Sequence, residues 1–288
     1  MQNSTHTIKY LLDYVRQSLA DLYPAREAQA ICHLLFENIL GVAPATLYIL
    51  LENAVDAAHE QRIRDAAAQL RQGRPIQQVL GRAEFCGLTF LVNEHVLIPR
   101  PETEELVEWA LRSADARAAL RVLDVGTGSG CIAVALAGKL PRAAVDAWDV
   151  SEDALSVARK NAALNGVQVH FEKRDILCEA TKSGAQRYDL VVSNPPYVCE
   201  SEKRQMHRNV LRYEPHVALF VDDKNPLIFY SAIAELAQKA LRENGEAFVE
   251  VNEKLGQEVA DVFTRHGFLS VELRRDVNGK PRMIRAKR

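Results

Sequence analysis

Apolar residues in the first eighty positions recur at intervals of three and four. Ile8, Leu11, Leu12, Val15 and Leu19 form one series. Ile31, Leu34, Leu35 and Ile39 form a second, and Ile63, Ala67 and Leu70 a third. That spacing lines one face of a helix. Pro24, Gly41, Pro44 and Gly73 punctuate the series, so residues 1–80 read as a bundle of about four helices. The period changes in EFCGLTFLVNEHVLI (84–98). Phe85, Leu88, Phe90, Val92, Val96 and Ile98 predict two short strands with a turn near Asn93–Glu94. Residues 81–100 are therefore expected to form a β-hairpin linker. PRPETEELVEWAL then opens a helix, with Pro101 suited to its first turn and Glu102, Glu104 and Glu105 complementing the positive end of its dipole.

From residue 120 the pattern alternates. LRVLDV, AAVDAWDV, VQVHFEKRD, YDLVVSN and GEAFVEV read as strands. CIAVALAGKL, SEDALSVARKNAALNG, PLIFYSAIAELAQKAL and LGQEVADVFTRHG read as helices. Alternation of this kind predicts a parallel sheet covered by helices on both faces. The last stretch, FLSVELRRDVNGKPRMIRAKR, predicts two strands joined at Asn278–Gly279, an antiparallel hairpin. The expected fold class is α/β: a doubly wound sheet over 101–288 with a terminal antiparallel hairpin, preceded by a small helical domain.

Composition narrows the function classes. The chain has 288 residues, 48% hydrophobic and 26% charged, with a net charge of −2. Those values are ordinary for a globular protein and lack the basic footprint of a duplex-binding one. The five cysteines, Cys32, Cys86, Cys131, Cys178 and Cys199, are scattered and form no CxxC pair. Reduced thiols in a cytosol fit better than a disulfide framework or a zinc site. The opening MQNSTHTIKY has no signal-peptide core. ILGVAPATLYILL is too short to span a bilayer and contains Pro44. A cytoplasmic protein without membrane contact is expected.

DVGTGSG (124–130) lies between a predicted strand and a predicted helix. Gly126, Gly128 and Gly130 allow a tight turn and let a ligand lie against bare backbone, with Thr127 and Ser129 between them. The spacing is G-x-G-x-G. The dinucleotide fingerprint wants a glycine where Cys131 stands, and no Lys-Ser/Thr follows as a nucleotide P-loop requires. The next strand ends at Asp149, where a carboxylate accepts from ribose hydroxyls; capping the following helix is the alternative, for which Ser151 competes. The third strand ends at Asp175, either an acceptor for an adenine amino group or a turn cap. Together these describe an adenosine site across the strand ends. The missing third glycine and the terminal hairpin point to S-adenosylmethionine rather than NAD as cofactor.

Asn194-Pro195-Pro196-Tyr197 follows the fourth strand, at the same sheet edge. Two prolines stiffen the backbone and remove two donors, leaving carbonyls that only accept. The Asn194 side chain adds an acceptor and Tyr197 a flat face. A planar –NH2 on a carbonyl or base is a poor nucleophile because its lone pair is delocalised. Two acceptors, the Asn194 oxygen and the Pro195 carbonyl, can hold its hydrogens and aim the nitrogen at a methyl sulfonium. Tyr197 is expected to pack on the planar substrate and exclude water.

This tetrapeptide resembles that of the N-methyltransferases acting on exocyclic or amide nitrogens. PIQQVLGRAEFCGLTFLVNEHVLIPRPETEELVEWAL, LDVGTGSGCIAVALA, DLVVSNPPYV and YEPHVALF extend the resemblance along nearly the whole chain to the bacterial release factor glutamine methyltransferases. LIPRPETE (97–104) is the more specific of these motifs. The resemblance implies a Rossmann-like class I S-adenosylmethionine-dependent methyltransferase sheet and a helical domain that docks substrate. It implies methylation at N5 of the glutamine in the Gly-Gly-Gln motif of peptide chain release factors. Carried over residue by residue, Gly126 to Gly130 and Asp149 bind the cofactor, Asp175 and Ile176 border the adenine, and Asn194 holds the amide with Pro195, Pro196 and Tyr197. The chain departs from the family pattern at Asn252, often Gly or His there, and in VDDKNPLIFY, which lacks a common glycine.

Other features stay open or carry no chemistry. Arg100, between two prolines, covers either the methionine carboxylate or the substrate. Lys203, Arg204, His207, Arg208 and Arg212 form a basic patch, a solvated face or a match for an acidic release-factor surface. Histidines show no metal spacing, and no metal is expected. Competing functions are a ribosomal-protein glutamine methyltransferase, an enzyme acting on amino groups of nucleic-acid bases, and a non-catalytic release-factor-binding module. A monomer is expected.

Overall fold

The protein is described from a computed structural model over residues 6–179 and 187–288. It divides into two compact units, Met1–Gly81 with His207–Tyr213, and Arg82–Met206 with Glu214–Arg288. The hairpin expected as a separate linker thus belongs to the second unit, and seven residues from the middle of the expected methyltransferase domain belong to the first.

The first unit is helical: α1 (Ile8–Leu19), α2 (Ala25–Leu40), α3 (Pro44–Ile49), α4 (Ala57–Arg71) and α5 (Ile76–Leu80). The apolar series meet in one core, with Leu11, Val15, Leu19, Leu35, Phe36, Ile63 and Leu70 fully buried. Thr7 and Asp56 accept backbone N–H bonds at the starts of α1 and α4, and Gly41 ends α2 in the left-handed region at φ 68°. The sequence expectation of about four helices undercounts, because α3 and α5 are single short turns. Pro44 opens α3 rather than breaking a helix, since its fixed φ suits a first turn. The segment 207–213 joins this unit by hydrogen bonds. Asn209 donates to the Tyr23 hydroxyl at 3.1 Å, Tyr213 Oη donates to the Gln72 carbonyl at 3.0 Å, and Gln78 Nε2 donates to the Tyr213 carbonyl at 2.8 Å.

In the second unit β1 (Arg82–Phe85) and β2 (Leu88–Leu91) form the early hairpin. Its turn falls at Cys86–Gly87, with φ of 51° and 75°, not at Asn93–Glu94. Two consecutive positive φ values give the turn whose twist matches the strands. Val92, Val96 and Ile98 bury without forming a strand, against Ala154 and Val157. Then follow α6 (Pro101–Ser113), β3 (Arg121–Val125), α7 (Cys131–Lys139), β4 (Ala144–Asp149), α8 (Glu152–Leu164), β5 (His170–Lys173), α9 (Ile176–Glu179), β6 (Tyr188–Ser193), β7 (Val198–Cys199), α10 (Arg208–Tyr213, part of the first unit), β8 (Phe220–Val221), α11 (Ile228–Ala240), β9 (Leu241–Glu250), α12 (Gly256–Arg265), β10 (Ser270–Arg275) and β11 (Pro281–Lys287). Among the described residues seven strands form one sheet, ordered β10-β11-β9-β6-β3-β4-β5. Pairings from β5 through β9 are parallel, while β11 runs antiparallel to both β9 and β10. The fold is the α/β architecture expected, a largely parallel sheet closed by an antiparallel terminal hairpin. Apolar clusters bury both faces of the sheet, one under Tyr230, Ile233 and Phe263 and the other under Leu106, Trp109 and Leu136. Strand order reverses between β3 and β6, so their C-terminal ends open the crevice where ligands bind in such sheets.

Candidate active site

A cleft of about 1090 Å³, its open mouth included, lies at those strand ends. Gly126, Thr127, Gly128 and Ser129 line it from the β3–α7 loop, Asp149 from the end of β4, and Asp175 and Ile176 from the start of α9. Asn194, Pro195 and Pro196 line it from the end of β6, and Arg100 and Thr103 from the entry of α6. Two expected site residues, Gly130 and Tyr197, do not line the cleft. Gly130 packs against α8, where a Cβ would come within 3.0 Å of the Ala158 Cβ. Its role is close helix–loop packing at φ 81°. Tyr197 lies outside the cleft lining and presses on the core instead.

Backbone hydrogen bonds hold the glycine loop open. The amides of Gly126 and Thr127 both donate to the Trp148 carbonyl, at 2.8 and 2.9 Å. Asp149 Oδ2 accepts from Gly128 N at 2.8 Å and Oδ1 from Ser151 N at 2.9 Å. Ser151 caps α8 by accepting from Ala154 N, so Asp149 is left to fasten the loop and face the cleft. Burial raises the Asp149 pKa and the backbone amides oppose the rise. Asn161, fully buried on α8, joins the loop to the hairpin. It accepts from Leu91 N at 2.6 Å and donates to Leu91 O at 3.0 Å and Ser129 O at 2.8 Å. Asp175 makes the turn cap, its Oδ1 accepting from Leu177 N at 2.9 Å, and it also lines the cleft.

The Asn-Pro-Pro-Tyr corner rests on a buried network. Asn194 Nδ2 donates to Thr103 Oγ1 at 3.1 Å, and Thr103 Oγ1 donates to Glu250 Oε2 at 2.6 Å. Tyr197 Oη donates to Glu250 Oε1 at 2.9 Å. Among the described residues Asn194 Oδ1 accepts no hydrogen bond. Desolvation, with the nearby Glu250 carboxylate, pushes the Tyr197 hydroxyl far above its ordinary pKa, so it stays a donor. The ring expected to stack on substrate is thereby tethered from behind. Asn252, the departure from the family pattern, donates to the Tyr197 carbonyl at 3.2 Å and to Glu202 at 3.0 Å, bracing the same corner.

Arg100 is held by Glu214, whose Oε1 accepts from its Nη2 at 2.6 Å while Oε2 accepts from Ile98 N at 3.0 Å. Glu214 is 5% exposed, so the pair fixes the Arg100 guanidinium beside the cleft. Asp124 is buried beneath the loop, where Oδ2 accepts from Thr127 Oγ1 at 2.6 Å and from Ala133 N at 3.2 Å. Burial pushes its carboxyl up to about 7. Sequence reasoning passed over Asp124, Thr103, Glu214 and Glu250. A charged residue ending the apolar run AFVE was the legible signal for Glu250; the others needed three dimensions.

Two family models match the chain: the methyltransferase small domain over residues 106–214 and the PrmC N-terminal domain over 11–81. Curated relatives named release factor glutamine methyltransferase match along most of their length. That of Bacteroides thetaiotaomicron is 44% identical, covering 96% of this chain and 98% of the relative. That of Flavobacterium psychrophilum is 42% identical over 93% and 95%, and that of Geobacter sulfurreducens 36% over 96% and 95%. Among solved structures, the Thermus thermophilus 16S rRNA N2 G1207 methyltransferase RsmC, in complex with AdoMet and guanosine, superposes with a TM-score of 0.52. It is 16% identical and covers 72% of this chain and 49% of that one, a likeness of fold.

Proposed function

This chain belongs to the release factor glutamine methyltransferase family, and from that premise we propose how its cleft performs N5 methylation of the glutamine in the Gly-Gly-Gln motif of peptide chain release factors. The residues fit S-adenosylmethionine. A Cβ on Gly126 or Gly128 would meet no protein atom within 4 Å, so the loop presents bare backbone to open space. Ser129, which lines the cleft, has its Oγ buried without a hydrogen-bond partner among the described residues, as polar atoms are beside a site that a ligand or water completes. Asp149 would hold the ribose, Asp175 and Ile176 the adenine, and the Gly126–Ser129 loop the amino-acid part. When bound, the cofactor supplies an electrophilic methyl carbon on a sulfonium.

The observation that carries the reading is the Asn194 carboxamide in the cleft, its nitrogen committed to Thr103 and its oxygen unspent. That oxygen and the Pro195 carbonyl accept from the two N–H groups of the substrate amide, which turns the nitrogen lone pair out of conjugation and toward the methyl carbon. Proximity and fixed dipoles do most of the catalysis. The amide proton leaves after transfer, so the corner needs no strong base. Arg100, fixed by Glu214, faces the carboxylate of the cofactor or the main chain around the glutamine. The helical unit serves as the docking surface for release factor. A substrate that acts in translation places the activity in the cytoplasm.

The test offers methyl-labelled S-adenosylmethionine with release factor, the same factor with its Gly-Gly-Gln glutamine replaced, ribosomal protein or nucleic acid. Label is expected in intact release factor alone. Label in nucleic acid only, or in the glutamine-replaced factor at equal rate, would overturn the reading.

A further inference from the structure

Glu250 lies outside the cleft, fully buried at the end of β9, yet touches the reaction corner through two hydroxyls. An ionised carboxylate only accepts hydrogen bonds. Both hydroxyl partners must then donate to it, Thr103 to Oε2 and Tyr197 to Oε1. Thr103 has one hydroxyl hydrogen and spends it on Glu250, so the side of Oγ1 that faces Asn194 is a lone pair. Only the –NH2 of the Asn194 carboxamide satisfies that lone pair, at 3.1 Å. The carboxamide oxygen is forced to the opposite side. With an apolar residue at 103, the two ends of the carboxamide would be nearly equivalent in shape, and the amino end could face the substrate amide and repel it.

We propose that Glu250 and Thr103 are positioning residues that set the orientation of the Asn194 carboxamide, so that an acceptor and not a donor meets the substrate –NH2. The inference rests on the glutamine-methylation reading above. The same carboxyl group tethers Tyr197, so one buried side chain fixes both ends of the tetrapeptide. Burial, with the Glu102 charge on α6, raises the Glu250 pKa above its ordinary value, and the hydrogen bonds from Thr103 and Tyr197 and the Arg282 charge on β11 oppose the rise. Tyr230 Oη donates to the Glu250 main-chain carbonyl at 3.2 Å, holding the strand end in place.

The experiment compares wild type, Thr103→Val, Thr103→Ser and Glu250→Gln for methyl transfer to release factor, each also in an Asn194→Ala background. Cofactor affinity is read by calorimetry and folding by thermal melting. Thr103→Val is expected to lower kcat about a hundredfold, the order that misplacing a reacting group costs, with cofactor affinity kept. Thr103→Ser keeps the hydroxyl and is expected to stay within about threefold of wild type; Glu250→Gln loses turnover with its cofactor affinity intact. In the Asn194→Ala background, Thr103→Val is expected to change residual turnover no further, because its effect runs through Asn194. Equal losses in both backgrounds, or an unchanged kcat in Thr103→Val or Glu250→Gln, would overturn the inference while leaving an active wild type and its reading intact. Should Thr103→Val fail to fold, the Glu250→Gln pair of backgrounds decides alone. A wild type that labels no release factor removes the parent reading and this inference together.

Discussion

Asn194→Ala and Asp149→Ala are expected to fail in different ways. The first removes the acceptor for the substrate amide and should lower kcat at least about a hundredfold with cofactor affinity nearly unchanged. The second removes both the ribose acceptor and the anchor of Gly128 N, and should weaken cofactor binding tenfold or more, about 1.4 kcal/mol. Isothermal calorimetry with single-turnover kinetics separates the two; equal collapse of both quantities in Asn194→Ala would contradict its assignment. Asp124 makes a pH prediction. Its folded-state pKa is raised by burial from an ordinary 3.8 to about 7. The folded form therefore binds the proton more tightly, and the stability this contributes is present at low pH and is lost as pH rises from about 4 through 7. Asp124→Asn keeps the shape without the charge, so its melting temperature should gain on wild type across that range; parallel profiles would refute this. The sequence placed Asp149, Asp175 and Asn194 at strand ends, and all three line the cleft there. The tether of Tyr197 was not legible, because its neighbour in space, Glu250, lies 53 positions away and no local pattern announces it.

At the scale of elements, the β3–α7 loop divides its glycines between two jobs. A Cβ on Gly128 points into open cleft space, whereas one on Gly130 meets Ala158 on α8. Both sit at positive φ, so either Ala substitution costs about 1 kcal/mol in backbone strain. Gly130→Ala adds a steric clash and should lower stability by about 2 kcal/mol or more, while Gly128→Ala should mainly weaken cofactor binding. Thermal melts beside calorimetry check the contrast, which similar losses of stability would refute. The alternation of strand and helix was readable because each strand is a short apolar run bounded by turns. The early hairpin was readable as strands but not as a turn. Cys86–Gly87 is not a common turn pair, and the Asn93–Glu94 dipeptide looked better than the apolar residues after it warranted. Those residues bury against α8 through Val92 and Val96 rather than by pairing, a tertiary choice that overrides period-two patterning.

At the scale of the molecule, the division of the chain was only partly visible. A boundary near residue 81 follows from the change of period. The return of 207–213 to the helical unit does not, because closing a loop of more than a hundred residues leaves no local trace. That return bears directly on the stability of the helical unit. Gln78 is 5% exposed, and its Nε2 donates to the Tyr213 carbonyl. Tyr23 accepts at its hydroxyl from Asn209, and the Gln72 carbonyl accepts from Tyr213. A fragment ending at Gly81 would lose the hydrogen bond from Gln78 to the Tyr213 carbonyl along with the other two, each worth about 1 kcal/mol. The fragment 1–81 is therefore expected to unfold at lower urea than the same fragment carrying 207–213 on a flexible linker. The added segment supplies three hydrogen bonds but closes a much shorter loop than the native one, so its entropic cost does not cancel the gain. Coincident urea midpoints for the two fragments would mean that residues 1–81 hold the helical fold without help, and that the segment 207–213 is a passenger on it.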